Sequence, residues 1–378
     1  MQISLPTRTV DENRAKLSAR IVSGKEVKEV FFSVPAEKAD WFSLDRCDGF
    51  VVGLLFQAMQ RNENIVVEGP MSSHLFHNLQ HFFIPMMSRA FESLHPIEIV
   101  PAALTHDATA ATGVATGFSG GIDSFATIIQ HFVQETDADY RINCFLFHNV
   151  GSHSHGSAED ARRLFWERYE TVRPFTEEVN IPIIAVDSNL GDVFPISFLT
   201  MHSALNASIP LVLQNHFQRY YYASTYSYAD CGVSRTDDIA RFDPFAFHLL
   251  STEGLDCVST GCQMSRVQKT ELVTTYEPTQ RYLNVCVDPS FAGKNCSVCF
   301  KCMRTLFTLE VLGKAEFYEA VFDLAKYRQA RSRYSLKILR YKRNSFEAEI
   351  ADLVSHRGSG FLAKAIGVRR HLDRLAWH

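Results

Sequence analysis

The sequence predicts an α/β protein built on a doubly wound parallel sheet, and three observations point there. Four largely apolar runs, Val114–Phe118, Arg141–Phe147, Ile181–Val186 and Tyr221–Tyr226, read as strands buried on both faces. Helical segments separate them: Phe125 to Val133 with Phe125, Ile128, Ile129 and Phe132 on one face, then about Ala158–Glu178 and about Ser203–Arg219. Strands alternating with helices are the pattern of a parallel sheet. Third, the first run leads into Ser119-Gly120-Gly121-Ile122-Asp123-Ser124, a glycine-rich turn opening a helix. In such sheets ligands bind beyond the carboxyl ends of the strands, near a topological switch point. The loops after Phe118, Phe147, Val186 and Tyr226 are therefore expected around a ligand.

Taken in order, the chain begins with an α+β stretch that reads as an accessory domain, 1–105. Ala19–Val22 and Val30–Val34 are short strands around Ser23-Gly24-Lys25, Asp48–Met59 is an apolar helix, and Asn64–Glu68 is another strand. Gly69-Pro70 is expected to break the chain. Ser72 or Ser73 then caps a helical stretch reaching Phe91, kinked or restarted at Pro85. Ile97–Val100 is a further strand and Pro101–Thr112 a connector. Residues 106–305 form the ligand-binding domain, and 306–378 a helical tail. Gly151–His155, with its two histidines, reads as a mobile polar loop and not a metal site. From Met303 onward lysine and arginine number 15 against 8 acids, so the tail carries +7. Its cluster Arg331, Arg333, Lys337, Arg340, Lys342, Arg343 is either a solvated face or a contact for RNA or a phosphorylated carrier.

The turn at 119–124 has its own chemistry. Adjacent glycines fold the backbone tightly and aim successive N–H groups at one spot, and the following helix adds its positive end. Ser119 and Ser124 supply hydroxyls, and Asp123 is placed to hold Mg²⁺ beside bound phosphates. The plain alternative is a strand-to-helix turn needing glycine only for packing.

A second signal is Cys286-x₉-Cys296-x₂-Cys299-x₂-Cys302. On a straight helix the third of three thiols spaced by three is turned about 240° from the first, so they converge only in a knuckle around one ion. Cys286 then closes a tetrahedral Cys₄ site, with Cys257 or Cys262 as the alternative fourth ligand. Lys294, Lys301 and Arg304 flank the thiolates and offset their charge. Iron–sulfur clusters also use Cys-x₂-Cys-x₂-Cys, but no Cys-Pro follows Cys302. Of the other cysteines, Cys144 sits in a strand and is expected to be inert, while Cys257 and Cys262 read as a loop pair open to reaction.

Ser119–Ser124 resembles the pyrophosphate loop of the PP-loop ATP pyrophosphatases (adenine nucleotide alpha-hydrolases), and no lysine follows its glycines as in the loop of kinases and GTPases. With the Cys₄ knuckle, whose x₉ spacing resembles the zinc site of 7-cyano-7-deazaguanine synthase, and with Ser265-Arg266-Val267-Gln268-Lys269, similar to that enzyme's lysine segment, the likeness spans roughly 112–305. It implies a PP-loop (HUP-like) fold, ATP cleaved between its α and β phosphates, and structural Zn²⁺ at Cys286, Cys296, Cys299 and Cys302. Ser119, Gly120, Gly121 and Ser124 would hold the β,γ-phosphates and Asp123 the Mg²⁺. Lys269 or Arg266 would stabilise the α-phosphate, and His148, Asp187 and Ser224 at the strand ends would contact adenosine. The expected reaction activates a small-molecule or peptide carboxylate, or an amide oxygen, as an acyl-adenylate. Ammonia or an amine then displaces AMP, giving an amide or nitrile. The rivals are a tRNA-thiolating enzyme using Cys257 or Cys262, a sugar amidotransferase subunit, and a non-catalytic ATP-binding defence or regulatory module. That enzyme's substrate-specific residues find no counterpart here, nor does 1–105.

Bulk properties narrow the class. A 378-residue chain with 46% hydrophobic residues and net charge −4 carries no global nucleic-acid or membrane signal. No run approaches the ~20 apolar residues of a membrane span, and Met1–Pro6 does not read as a secretory signal. Nine cysteines, an odd number with four crowded into one short segment, fit metal binding better than a disulfide framework. A cytoplasmic homodimer is the expectation.

Overall fold

The computed structural model describes residues 1–378 except 109, 154–156, 194–196, 292, 343–344, 359–362 and 368–378. Among them, eleven strands make one sheet: β1 (Gln2–Ile3), β2 (Thr7–Val10), β3 (Arg14–Ser23), β4 (Glu26–Pro35), β5 (Ile65–Ser72), β6 (Ile99–Thr105), β7 (Gly113–Gly117), β8 (Cys144–Asn149), β9 (Ile183–Ser188), β10 (Phe217–Ala223) and β11 (Asp256–Thr260). Their order is β11-β10-β7-β8-β9-β4-β3-β1-β5-β6, with β2 beside β3. From β11 to β9 every neighbour is parallel. The chain winds outward from β7 through β8 to β9, then returns to β10 and β11 on the other side. The reversal between β7 and β10 is the switch point that an α/β sheet offers a ligand.

The expected strands are present with shifted edges. The fourth run, expected at Tyr221–Tyr226, is Phe217–Ala223, and the preceding helix, Phe198–Val212, ends before Arg219. The aromatic stretch from Phe217 to Tyr222 suits a pleated strand better than a helix end. The reading also missed β11, which puts Cys257 inside the sheet instead of a loop. Gly69-Pro70 does not break β5; the register against β6 shifts between Val67 and Pro70, a bulge that accommodates a residue without an N–H.

Residues 1–105 extend the same sheet. The long hairpin of β3 and β4 lays Phe32 against Ser188 and Ser33 against Asp187, antiparallel to β9, and Ser188 Oγ donates to Phe31 O at 2.6 Å. The boundary drawn at 105/106 thus lies within one continuous sheet. On one face the helices Asp48–Arg61 and Phe198–Val212 pack closely. A Cβ at Gly49 would stand 2.4 Å from Val212 Cγ1 and 2.8 Å from the Ser208 carbonyl oxygen, so this position requires glycine. Phe32, Phe50, Leu205 and Tyr220 share this core. The other face buries Phe118, Phe125, Phe145 and Phe175 beneath the helices Ala158–Glu178, Phe300–Val311, Leu324–Leu339 and Phe346–Arg357. The tail, expected to be helical, comprises the helices Leu324–Leu339 and Phe346–Arg357 after a short turn at Ala315–Tyr318. No described helix is long and apolar enough to cross a membrane.

Candidate functional site

The glycine turn sits at the switch point. Gly120 takes φ +73°, which only glycine adopts freely, and its carbonyl accepts from Asn284 N at 2.7 Å. Gly121 is extended and caps the helix Ile122–Ile128. Ser124 Oγ donates to Gly121 O at 3.0 Å and lies 3.4 Å from Ser119 Oγ. Ser119, Gly120, Gly121 and Ser124 therefore form one small concave turn.

Asp123, in the first turn of that helix, meets two cations. Arg266 Nη1 is 2.7 Å from one carboxylate oxygen and Lys269 Nζ 3.4 Å from the other. Both come from the first turn of the helix Arg266–Val273, started after β11 by a reciprocal cap between Ser265 and Gln268. Lys269, 1% exposed, also donates to Ser224 O at 2.6 Å and to Ser224 Oγ at 2.9 Å. Ser224 directly follows β10, so the lysine clamps the two strand ends flanking the switch point. Burial lowers the Lys269 pKa against the pull of Asp123.

Two further cations, both from the helix that begins in the cysteine knuckle, lie within electrostatic reach of Arg266 and Asp123. Lys301 and Arg304 have pKa values lowered first by burial and next by repulsion from Arg266, with Asp123 opposing. The sequence places both beside the thiolates, and Cys299 also acts on Lys301. Their three-residue spacing, the same as that of Arg266 and Lys269, is the signal that was available. The buried Arg266 Nε has no hydrogen-bond partner. Arg266, Lys269, Lys301 and Arg304 outnumber the carboxylates acting on them, Asp123 with Glu347 and Glu349 of the helix Phe346–Arg357, so positive charge is in excess beside the turn.

The strand-end residues divide. His148 is 8% exposed. Its Nδ1 lies 2.9 Å from Asn206 Oδ1, and Asn206 Nδ2 donates to His202 O. Asn206 thus presents an acceptor, His148 carries its proton on Nδ1, and the buried Nε2 is a bare acceptor. Burial lowers the imidazole to about 4, so it is neutral. Asp187, in contrast, is spent internally on Arg162 at 2.9 Å and Asn149 at 2.7 Å. Ser224 is held by Lys269. In the polar loop His153 is buried beneath Phe147 and Phe165, and His155 lies outside the described residues.

The four knuckle sulfurs lie within 4.8 Å of one another. Cys286 and Cys299 are 3.9 Å apart, as are Cys296 and Cys302. Tetrahedral ligands at about 2.3 Å have edges of about 3.8 Å, so the thiols are arranged to hold a metal ion such as zinc. Cys296 N points at Cys286 Sγ and Cys299 N at Cys296 Sγ, as suits sulfurs carrying negative charge. Ser297, at φ +66°, makes the knuckle turn. Asn295 ties it to Leu283 and Val321. Two residues before Cys286, Asn284 reaches the Gly120 carbonyl, so the knuckle and the glycine turn are one hydrogen bond apart.

Among the other thiols, Cys257 is fully buried in β11 with its pKa raised by burial, and Cys262 is 1% exposed. The reactive loop pair is therefore not formed. In the basic tail Arg331 pairs with Glu310 at 2.8 Å and Lys337 with Glu347 at 2.5 Å; Arg343 lies outside the described residues. Compared with family models, curated proteins and solved structures, the chain matches none.

Proposed function

We propose that this chain is an ATP-dependent adenylating enzyme, and the observation that carries the reading is the pairing of Arg266 and Lys269 with Asp123 at the switch point beside the glycine turn, with Lys301 and Arg304 adding positive charge nearby. Buried cations in excess of buried acids are costly unless an anion completes the site. A polyphosphate suits them, and backbone N–H groups of the turn with Ser119 and Ser124 suit its β,γ-phosphates. His148, a neutral acceptor one strand away from the turn, fits an adenine amino group. Asp123 would hold a Mg²⁺ ion brought with the nucleotide, and the ion would supply neutralisation of the phosphate charge. The Cys₄ site holds Zn²⁺ as a structural ion.

In the reaction a carboxylate or amide oxygen attacks the α-phosphorus. The bond to the bridging β-oxygen breaks and pyrophosphate leaves with that electron pair. Lys269 and Arg266 stabilise the charge building on the α-phosphate, a contribution of the order of 10²–10³ in rate per donor. Ammonia or an amine then attacks the acyl carbon, the C–O bond to AMP breaks, and the nitrogen loses a proton to solvent. The product is an amide, or a nitrile after a second activation. The burial of Cys257 and Cys262 favours nitrogen over sulfur transfer.

The test is AMP and pyrophosphate detection with a panel of carboxylates, wild type against Asp123→Ala. AMP with pyrophosphate from the wild type alone is the expected result. ADP with phosphate refutes α,β-cleavage, and ATP binding with no product reduces the chain to a nucleotide-binding module.

A further inference from the structure

The helix Phe346–Arg357 lies against the cation cluster. The Phe346 ring centroid is 4.2 Å from the guanidinium carbon of Arg304 and 5.3 Å from that of Arg266. It also stacks on Tyr226, 5.6 Å away at an interplanar angle of 6°. Arg241 sits over the Tyr226 ring at 4.4 Å, and Tyr226 OH donates to Asp238 at 3.0 Å. Aromatic faces thus carry three guanidiniums on the loop after β10 and beside the turn.

The helix is firmly seated. Ile350, Ala351 and Val354 are buried, Glu349 accepts from Val267 N at 3.2 Å, and Arg357 pairs with Glu271 at 2.8 Å. Both contacts fall on Arg266–Val273, the helix that supplies Arg266 and Lys269.

An arginine bound bidentate to a carboxylate is fixed by that partner, but a pair meant to receive an incoming anion needs another fixture. An aromatic face provides one: it attracts the guanidinium plane without competing for its N–H donors. We propose that Phe346 is a positioning residue of the anion site, orienting Arg266 and Arg304 without occupying any of their N–H donors, and that the helix Phe346–Arg357 is a working wall of that site. The proposal rests on the anion-binding reading of the cluster and does not require the anion to be ATP.

The experiment measures binding of inorganic pyrophosphate and of Mg·ATP by calorimetry to wild type, F346L, F346Y, R304M and the double variant F346L/R304M, each with its thermal midpoint. F346L keeps apolar bulk but removes the aromatic face, and a loss of about tenfold in pyrophosphate affinity is expected. F346Y restores it. R304M weakens binding in the wild-type background and much less in the F346L background, because the ring acts through that arginine. Equal affinities for wild type and F346L overturn the proposal. So does a loss that follows the thermal midpoint or that F346Y fails to rescue. Wild type binding pyrophosphate but not ATP sinks the nucleotide reading and leaves this proposal judged on pyrophosphate. Binding of neither sinks both.

Discussion

Replacing Asp123 with Asn separates a phosphate site from an ordinary internal ion pair. The substitution preserves shape and removes the carboxylate paired with Arg266 and Lys269, leaving Lys301 and Arg304 beside them. Breaking a fully buried pair costs about 3–5 kcal/mol because the remaining charge is stranded. Asp123 keeps 24% of its side chain exposed, so solvent screens part of this, and about 2–3 kcal/mol is the expected loss. For a chain of this length, with unfolding entropy near 2.1 cal/mol/K per residue, that is a fall of about 3–4 °C in thermal midpoint. An anion that occupies the site should restore it. Pyrophosphate at a hundredfold its dissociation constant returns about 2.7 kcal/mol, enough to cancel the defect. The assay is thermal unfolding of both proteins in pyrophosphate against chloride at matched ionic strength. Asp123→Asn should gain more from pyrophosphate than the wild type, whose carboxylate competes for the same cations. An Asn variant as stable as wild type in chloride, or one that pyrophosphate stabilises no more than chloride does, refutes the argument that the cluster awaits an anion.

Three further outcomes are expected. Cys299→Ser should lower bound zinc below one equivalent by elemental analysis and weaken pyrophosphate binding several-fold, because the knuckle holds the Gly120 carbonyl through Asn284; intact affinity with zinc lost would uncouple the two. His148, lowered by burial to about 4 from an unfolded value near 6.5, binds its proton more readily when unfolded, so it costs stability as pH falls from 6.5 towards 4. The cost is about 2 kcal/mol at pH 5, and His148→Gln should therefore lose less stability than wild type between pH 7 and pH 5 in thermal scans. Alanine at both Cys257 and Cys262 should leave AMP production in place, and its abolition without unfolding would revive sulfur transfer.

Much of this was legible because it is local. The turn at 119–124 and the Cys₄ spacing lie within short windows, and residue type with spacing fixes their geometry. The helix Ala158–Glu178 carried its own cap and periodicity, as its Ser157–Asp160 capping box shows. What escaped depends on contacts between distant segments. The strand β11 is five residues with a mixed burial pattern, too short for periodicity to separate from a loop, and it becomes a strand because β10 offers it an edge. The joining of β4 to β9 rests on two residue pairs, and nothing in either strand announces the other.

The cation cluster illustrates the same limit at the site itself. Read locally, Lys301 and Arg304 belong with the cysteines beside them, since a basic residue next to thiolates is an adequate explanation. Arg266 and Asp123 nevertheless act on both, across 35 to 181 residues of sequence. Folding places like charges together here at a cost in stability, and sequence periodicity, which reports what folding favours, cannot register a feature that folding only tolerates. Such tolerated charge is where a function is best sought. The stability test on Asp123 measures that cost directly.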